Sequence, residues 1–298
     1  MDPSTSDEFV ALRWVRLTGG VPAVHGAYDL SHHDNRQICL FALIERYIFC
    51  HNIPICMQER ALLRSIALLK SGVFTIQDAA KVLGATGPGL NTFLYRLEKR
   101  GAISRIEQGK YCLAGTSSEV IATNLVIPSY ISFLWALSFH RLSTQRPSII
   151  TTVSLRKHDP ISINNMMIKF MVMKSGRFFG MAKHKATDGA EFLVAQPEKA
   201  LLDALCYPAH CPVSEVLDCL HLAVEEERLD VDLLVDDTLR MGSNVGAKRL
   251  GYLLDSLGMD LHERLASKLN DKYDPLDPSL PKKGRYIKKW MIVVNTEG

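Results

Sequence analysis

The most constraining stretch of this chain is residues 75–113, where two helix-forming segments flank a short glycine-rich turn and a hairpin signal follows at once. In "FTIQDAAKVLG", Thr75 is placed as an N-cap with Asp78 at the capping-box position. Ala79, Ala80 and Leu83 then supply an apolar face before Gly84 stops the helix. Beyond the turn, Thr86 is expected to cap a further helix, and Pro88 suits its first turn. Leu90, Leu94 and Leu97 recur at the spacing of a buried face until Gly101. "AISRIEQGKYCLAG" alternates on either side of Glu107-Gln108-Gly109, as the two strands of a hairpin would. The preceding "MQERALLRSIALLKSG" places Leu62, Leu63, Ile66, Leu68 and Leu69 along one broad helical stripe. Three helices and a hairpin predict a winged helix-turn-helix domain over residues 57–115.

The glycines at 84, 87 and 89 nearly spell a nucleotide-phosphate loop, but Leu90 and Asn91 stand where the Lys and the Ser or Thr would be. Without the lysine that meets the terminal phosphates and the hydroxyl that binds magnesium, the loop chemistry is missing. A tight turn in which Gly84 and Gly87 relieve backbone crowding is the simpler reading.

Charge supports a nucleic-acid partner for this segment. From Gln58 to Ala114 there are nine basic and four acidic residues, a local surplus of five against a net charge of +3 for the whole chain. The candidate DNA-binding residues are Thr86, Asn91, Thr92 and Tyr95 with Arg96, Lys99, Arg100, Arg105 and Lys110, in the third helix, its ends and the wing. Asn and Thr can read adenine or the thymine methyl, while Arg and Lys hold phosphates. For each residue singly, a solvated polar face explains the pattern as well.

Residues 1–56 read as an atypical N-terminal extension, either disordered or the product of a mis-assigned start, because turn signals there are mixed with three of the seven cysteines. Residues 116–298 read as a larger α+β domain with a mainly antiparallel sheet. "PSYISFLWALSFHRLS" is expected to be helical, followed by strands in "SIITTVSLR", "MMIKFMVMK", "RFFGMAK" and "EFLVA". "QPEKALLDALC" follows as a helix with proline in its first turn, and three further helices lie near 214–226, 231–241 and 245–257. The basic tail "LPKKGRYIKKWMIVVN", with Lys282, Lys283, Arg285, Lys288 and Lys289, is a candidate second nucleic-acid contact or a solvated basic edge.

Other function classes find little support. The apolar runs fall short of the roughly 20 residues of a membrane span, and the acidic start is unlike a secretory signal. These features predict a cytoplasmic protein with reduced thiols. Cys206, His210, Cys211, Cys219 and His221 match no paired metal-ligand spacing, so no metal is assigned. Glu198, Lys199 and Asp203 depart from a nuclease pattern, and His140 has no identifiable partner. No catalytic residue and no cofactor is assigned.

Taken together, "FTIQDAAKVLG", "FLYRLEKRGAISRIEQGKYCL", "IPSYISFLWALSFHRLSTQRP", "QPEKALLDAL" and "AKRLGYLLDSLG" resemble the AbiEi family of transcriptional regulators and type IV antitoxins, over about Met57 to Asn295. The resemblance implies a winged helix that represses its own promoter at inverted repeats in double-stranded DNA, which leaves room for self-association on DNA. It also implies a C-terminal domain linked to antitoxin activity, and a nucleotidyltransferase toxin as functional partner without a stable complex. The positions corresponding to the family's recognition helix and wing are Asn91, Thr92, Tyr95, Arg96, Lys99, Arg105 and Lys110. Two alternatives remain open from the residues: a nucleic-acid-processing enzyme targeted by the winged helix, and a ligand-sensing transcription factor.

Overall fold

The chain is described by a computed structural model over residues 55–68 and 70–296. The expectations for the N-terminal extension, apart from its last two residues, and for Leu69 lie outside the described residues. The fold class is α+β.

The first elements are α1 (Ile55–Leu68), β1 (Val73–Thr75), α2 (Ile76–Leu83), α3 (Pro88–Lys99), β2 (Ile103–Glu107) and β3 (Lys110–Leu113). The strands form a small sheet in the order β1-β3-β2, with both pairings antiparallel, which gives the arrangement of a winged helix. Local chemistry places these elements. The Thr75 hydroxyl accepts from the Asp78 amide at 3.2 Å, and the Asp78 carboxylate accepts from the Thr75 amide at 2.8 Å, a reciprocal capping box. Gly84 closes α2 at φ 59°, a left-handed conformation that glycine adopts without strain.

Two expectations about these helices are corrected. Gly87, not Thr86, is the N-cap of α3, and no side chain caps it: with Pro88 at the first helical position, the start is set by the glycine's φ of 79°. Leu68 is 53% exposed, because the buried side of α1 is carried by Leu62, Ser65 and Ile66 and Leu68 sits two residues past Ile66, on the far side. Leu90, Leu94 and Leu97 are buried as expected, and Tyr111 stacks on Phe74 with ring centroids 5.7 Å apart.

After α4 (Ser118–Asn124) comes β4 (Ser129–Ser132), followed without a loop by α5 (Phe133–Phe139). The helix expected across "PSYISFLWALSFHRLS" therefore begins as a four-residue strand. A strand this short, buried at every position and running directly into a helix, shows too little of its own period to be separated from it. The remaining strands are β5 (Ile149–Ser154), β6 (Ile161–Ile163), β7 (Met166–Val172), β8 (Met181–Lys185) and β9 (Glu191–Ala195), so "RFFGMAK" turns extended only at its last residues. The six-stranded sheet has the order β6-β7-β5-β4-β9-β8. It is mainly antiparallel, with two parallel pairings, β5 with β7 and β4 with β9.

The helices α6 (Pro197–Cys206), α7 (Val213–Glu225), α8 (Val231–Met241) and α9 (Asn244–Ser256) follow near their expected positions. Behind a short α10 (His262–Leu265), a three-stranded sheet is built from β10 (Asp274–Pro275), β11 (Arg285–Ile287) and β12 (Ile292–Val294). Trp290 anchors this end, fully buried, with its indole N–H donating to Asp255 at 3.0 Å. Its ring occupies the space that a side chain at Gly251 would need, since a Cβ there would lie 2.0 Å from the indole.

Alternation along β4 puts Tyr130 and Ser132 on one face, and both hydroxyls donate to Asp203 Oδ2 of α6, at 3.1 and 2.8 Å. One turn earlier on α6, Lys199 donates to the other oxygen of that carboxylate. Lys199 and Asp203 have no solvent exposure. Full burial raises the Asp203 pKa, against the pull of the Lys199 ammonium and the two hydroxyls.

Removing one member of a buried pair leaves an uncompensated charge, so Lys199→Met is expected to destabilise the protein by about 3–5 kcal/mol in urea denaturation. The double variant Lys199→Met/Asp203→Leu should recover part of the loss. Gly251→Ala, which forces a methyl against Trp290, should cost about 1–3 kcal/mol in the same measurement.

Candidate nucleic-acid interface

The geometry of α3 separates its two roles. At about 100° per residue, Asn91, Thr92, Tyr95, Arg96 and Lys99 fall within an arc of about 140°, opposite Leu90, Leu94 and Leu97. The first group is exposed and the second is buried. Thr86 and Arg105 are also exposed. The Thr92 hydroxyl donates back to the Pro88 carbonyl at 3.0 Å, and the Lys99 ammonium lies 5.4 Å from the centroid of the Tyr95 ring, itself 57% exposed. The structure thus brings Asn91, Thr92, Tyr95, Arg96 and Lys99 onto one surface.

The other basic candidates are more engaged. Arg100 pairs with Glu59 at 2.8 Å. Arg105 donates to the Glu107 carbonyl at 3.3 Å. Lys110 pairs with the Glu107 carboxylate at 2.9 Å and donates to the Leu125 carbonyl at 3.0 Å. In the tail, Lys289 bridges Asp255 and Asp260 at 2.8 and 2.9 Å, and Lys282 donates to the Tyr273 carbonyl. Lys283 and Lys288 are exposed, and Arg285 is exposed but engaged as well.

Glu107 performs a task that sequence reasoning missed. Its carboxylate takes Lys110 from within the wing and lies 3.0 Å from His158 Nε2, on the loop after β5. The Asn164 side chain reaches the Thr116 carbonyl at 3.0 Å, and the Glu191 amide donates to the Lys70 carbonyl at 2.7 Å. The wing and its flanks are thereby fastened to the larger sheet. No local signal marks a bond between residues this far apart in the chain.

Residues 61–114 match a family model described as transcriptional regulator, AbiEi antitoxin. The AbiEi match runs from the first helix through the wing, so the resemblance is shown for the segment that carries α3. No curated protein matches the chain.

The remaining candidates are structural in their contacts. Lys199 and Asp203 are sealed in the core, and Glu198 accepts from the Asp230 amide at 3.0 Å. His140 Nε2 lies 2.7 Å from the Ala195 carbonyl. Burial pushes the thiols of Cys206 up to about 11 and of Cys211 and Cys219 up to about 12, which keeps them protonated. His221 is exposed beside Glu225, at 3.2 Å. Among the described residues no three His, Cys, Asp or Glu side chains gather as metal ligands, and no helix is long and apolar enough to cross a membrane.

Partial burial raises the Glu107 pKa, but the hydrogen bond and charge of Lys110, with His158 behind them, outweigh it and leave the value below the ordinary 4.5. A lowered folded value means that its stabilisation is complete above the ordinary value and is lost as pH falls through the folded one. The stability difference between wild type and Glu107→Gln should therefore shrink as pH falls from about 5 towards about 3. A difference that grows between about pH 5 and about pH 3 would contradict this account of the wing.

Proposed function

We propose that the chain is a DNA-binding transcriptional regulator that reads double-stranded DNA through α3, and that it serves as the autorepressing antitoxin of a type IV toxin–antitoxin pair. The observation that carries the reading is the exposed stripe Asn91, Thr92, Tyr95, Arg96 and Lys99, set opposite a leucine core on a helix that follows a tight glycine turn. Residues 57–115 form the DNA-binding domain in this reading, and residues 116–298 the antitoxin or effector domain. Thr86 and the free amides of the first turn of α3 approach a phosphate of the DNA backbone. Asn91 and Thr92 read base edges, while Arg96, Lys99 and Arg105 hold phosphates. Arg100 and Lys110 lend charge from within their ion pairs. Lys283 and Lys288 supply a secondary contact, to which Lys282, Arg285 and Lys289 contribute field more than bonds.

The AbiEi description of the matched segment supports the regulator and antitoxin reading. The finer elements follow the family resemblance: inverted repeats in the promoter, self-association on DNA, a nucleotidyltransferase toxin neutralised without a stable complex, and action in the cytoplasm.

With three phosphate contacts per protomer, log K for promoter DNA should fall against log salt with a slope of about −2.7 per bound protomer. Arg96→Ala should weaken specific and unrelated DNA alike and reduce the slope by about 0.9. Asn91→Ala should instead cost about 1–3 kcal/mol on the specific site alone. Titration of a labelled promoter fragment against a scrambled fragment separates the two. Absence of a promoter-specific complex at low salt, or identical behaviour of the two variants, would sink the proposal.

A further inference from the structure

A cleft of about 340 Å³ opens on the six-stranded sheet, at the end where β5 and β7 begin. Thr151 of β5 and Lys169 of β7 are register partners and lie side by side on its floor. Trp135 of α5 forms one wall, its ring stacked on Phe139 at 5.5 Å, and His210, from the loop after α6, forms another, held against Phe133 at 5.2 Å. Ser148 lies at the rim.

The unusual feature is what these groups lack. Among the described residues, the side chains of Ser148, Thr151, Lys169 and His210 make no hydrogen bond and no ion pair. Thr151 is buried and Lys169 half-buried, positions where polar groups ordinarily find partners. The structural cations elsewhere do find them: Lys248 donates to Asn270 and Asp274, and Arg249 to the carbonyls of Leu205 and Pro275. Nothing in the fold uses the Lys169 ammonium. Convergent polar groups open to the cleft and without a protein partner, beside an aromatic wall and in a cavity at the small end of the range for ligand sites, describe a binding pocket.

We infer that this cleft binds a small aromatic anion, a ring bearing a carboxylate directly or a phosphate through a sugar, with the ring against Trp135 and the anionic group on Lys169. The Thr151 and Ser148 hydroxyls and the His210 imidazole supply the neutral hydrogen bonds. Partial burial and the neighbouring Lys169 charge lower the His210 pKa, which favours the uncharged ring as donor or acceptor. The volume suits one ring with its anionic group inside the cleft, and the single cation favours one anionic group over several. This site is separate from α3 and stands whether or not the chain binds DNA.

The test is isothermal titration calorimetry of the full chain with anthranilate and with the adenosine, guanosine, cytidine and uridine 5′-monophosphates, using acetate and inorganic phosphate as ringless controls. At least one aromatic anion should bind saturably, about tenfold or more tighter than its ringless counterpart. Whichever class binds, carboxylate or phosphate, identifies the anionic group. Lys169→Met should weaken binding about tenfold or more, Lys169→Arg should retain it, and Trp135→Leu should abolish the preference for a ring. Lys157→Met, an exposed lysine outside the cleft, should change nothing. Because Lys169 makes no internal bond, Lys169→Met should unfold at the wild-type temperature, which separates loss of binding from loss of fold. No saturable binding to the wild type, equal binding of the ringless anions, or binding indifferent to Lys169→Met would each overturn the inference.

Discussion

The carboxylate of Asp203 is the point on which the six-stranded sheet and its helices turn. It sits fully buried where β4 meets α6 and receives Lys199, Ser132 and Tyr130 together. A buried charge of this kind is tolerated only when its lone pairs are filled, so the strand and the helix have one relative placement that satisfies it. The aromatic shell reinforces the placement, because the Lys199 ammonium also lies 4.9 Å from the centroid of the Phe179 ring. Since β4 is a central strand with β5 on one side and β9 on the other, the knot sets the register of the sheet as well as the seat of the helix.

The winged-helix segment is tied to that frame by a few distant bonds. Glu107 and His158 join the wing to the loop after β5, Lys110 reaches the carbonyl after α4, and the backbone of Glu191 on β9 holds Lys70. Each bond is modest by itself. Their distribution matters more, because contacts on both sides of the three-stranded sheet leave it little freedom to rock, and α3, packed on that sheet through Leu90, Leu94 and Leu97, is presented at a defined angle. In a DNA reader this is the property that converts several weak phosphate contacts into one register on the duplex.

The parts of this architecture that rest on local chemistry were legible in the chain. Thr75 with Asp78, the left-handed Gly84, the leucines of α3 and the Glu107-Gln108-Gly109 turn each act within a few residues, and each lies where its spacing puts it. The misreadings have equally local causes. Thr86 looks like a cap until the conformation of Gly87 is known, and "SYIS" looks helical because four residues that run directly into a helix are too few to show a strand's period. What no local pattern reveals is the pairing of distant groups. The motifs "SYIS" and "EKALLDAL" were notable as a resemblance, yet their meaning is that Tyr130 and Ser132 meet Lys199 and Asp203. The wing's attachment through His158, and the cleft formed by Thr151, Lys169 and His210, are likewise products of the fold.

The allocation of positive charge argues for the role of α3 more strongly than its amount. A net charge of +3 conceals the pattern, because seven acidic residues in the stretch 224–237 offset a surplus elsewhere. Around the six-stranded sheet and the C-terminal helices, cations that hold elements together are paired: Lys199 with Asp203, Lys248 with Asp274, Lys289 with Asp255 and Asp260. On α3, Arg96 and Lys99 stand one turn apart and exposed, with no acidic side chain within ion-pair distance of either among the described residues. Like charges at that separation destabilise a helix by about 0.2–0.5 kcal/mol, and an acid at either position would remove the cost. A surface shaped for stability alone would carry that acid. A surface that meets a row of phosphates has its counter-charge supplied by the partner, and an internal acid would compete with it.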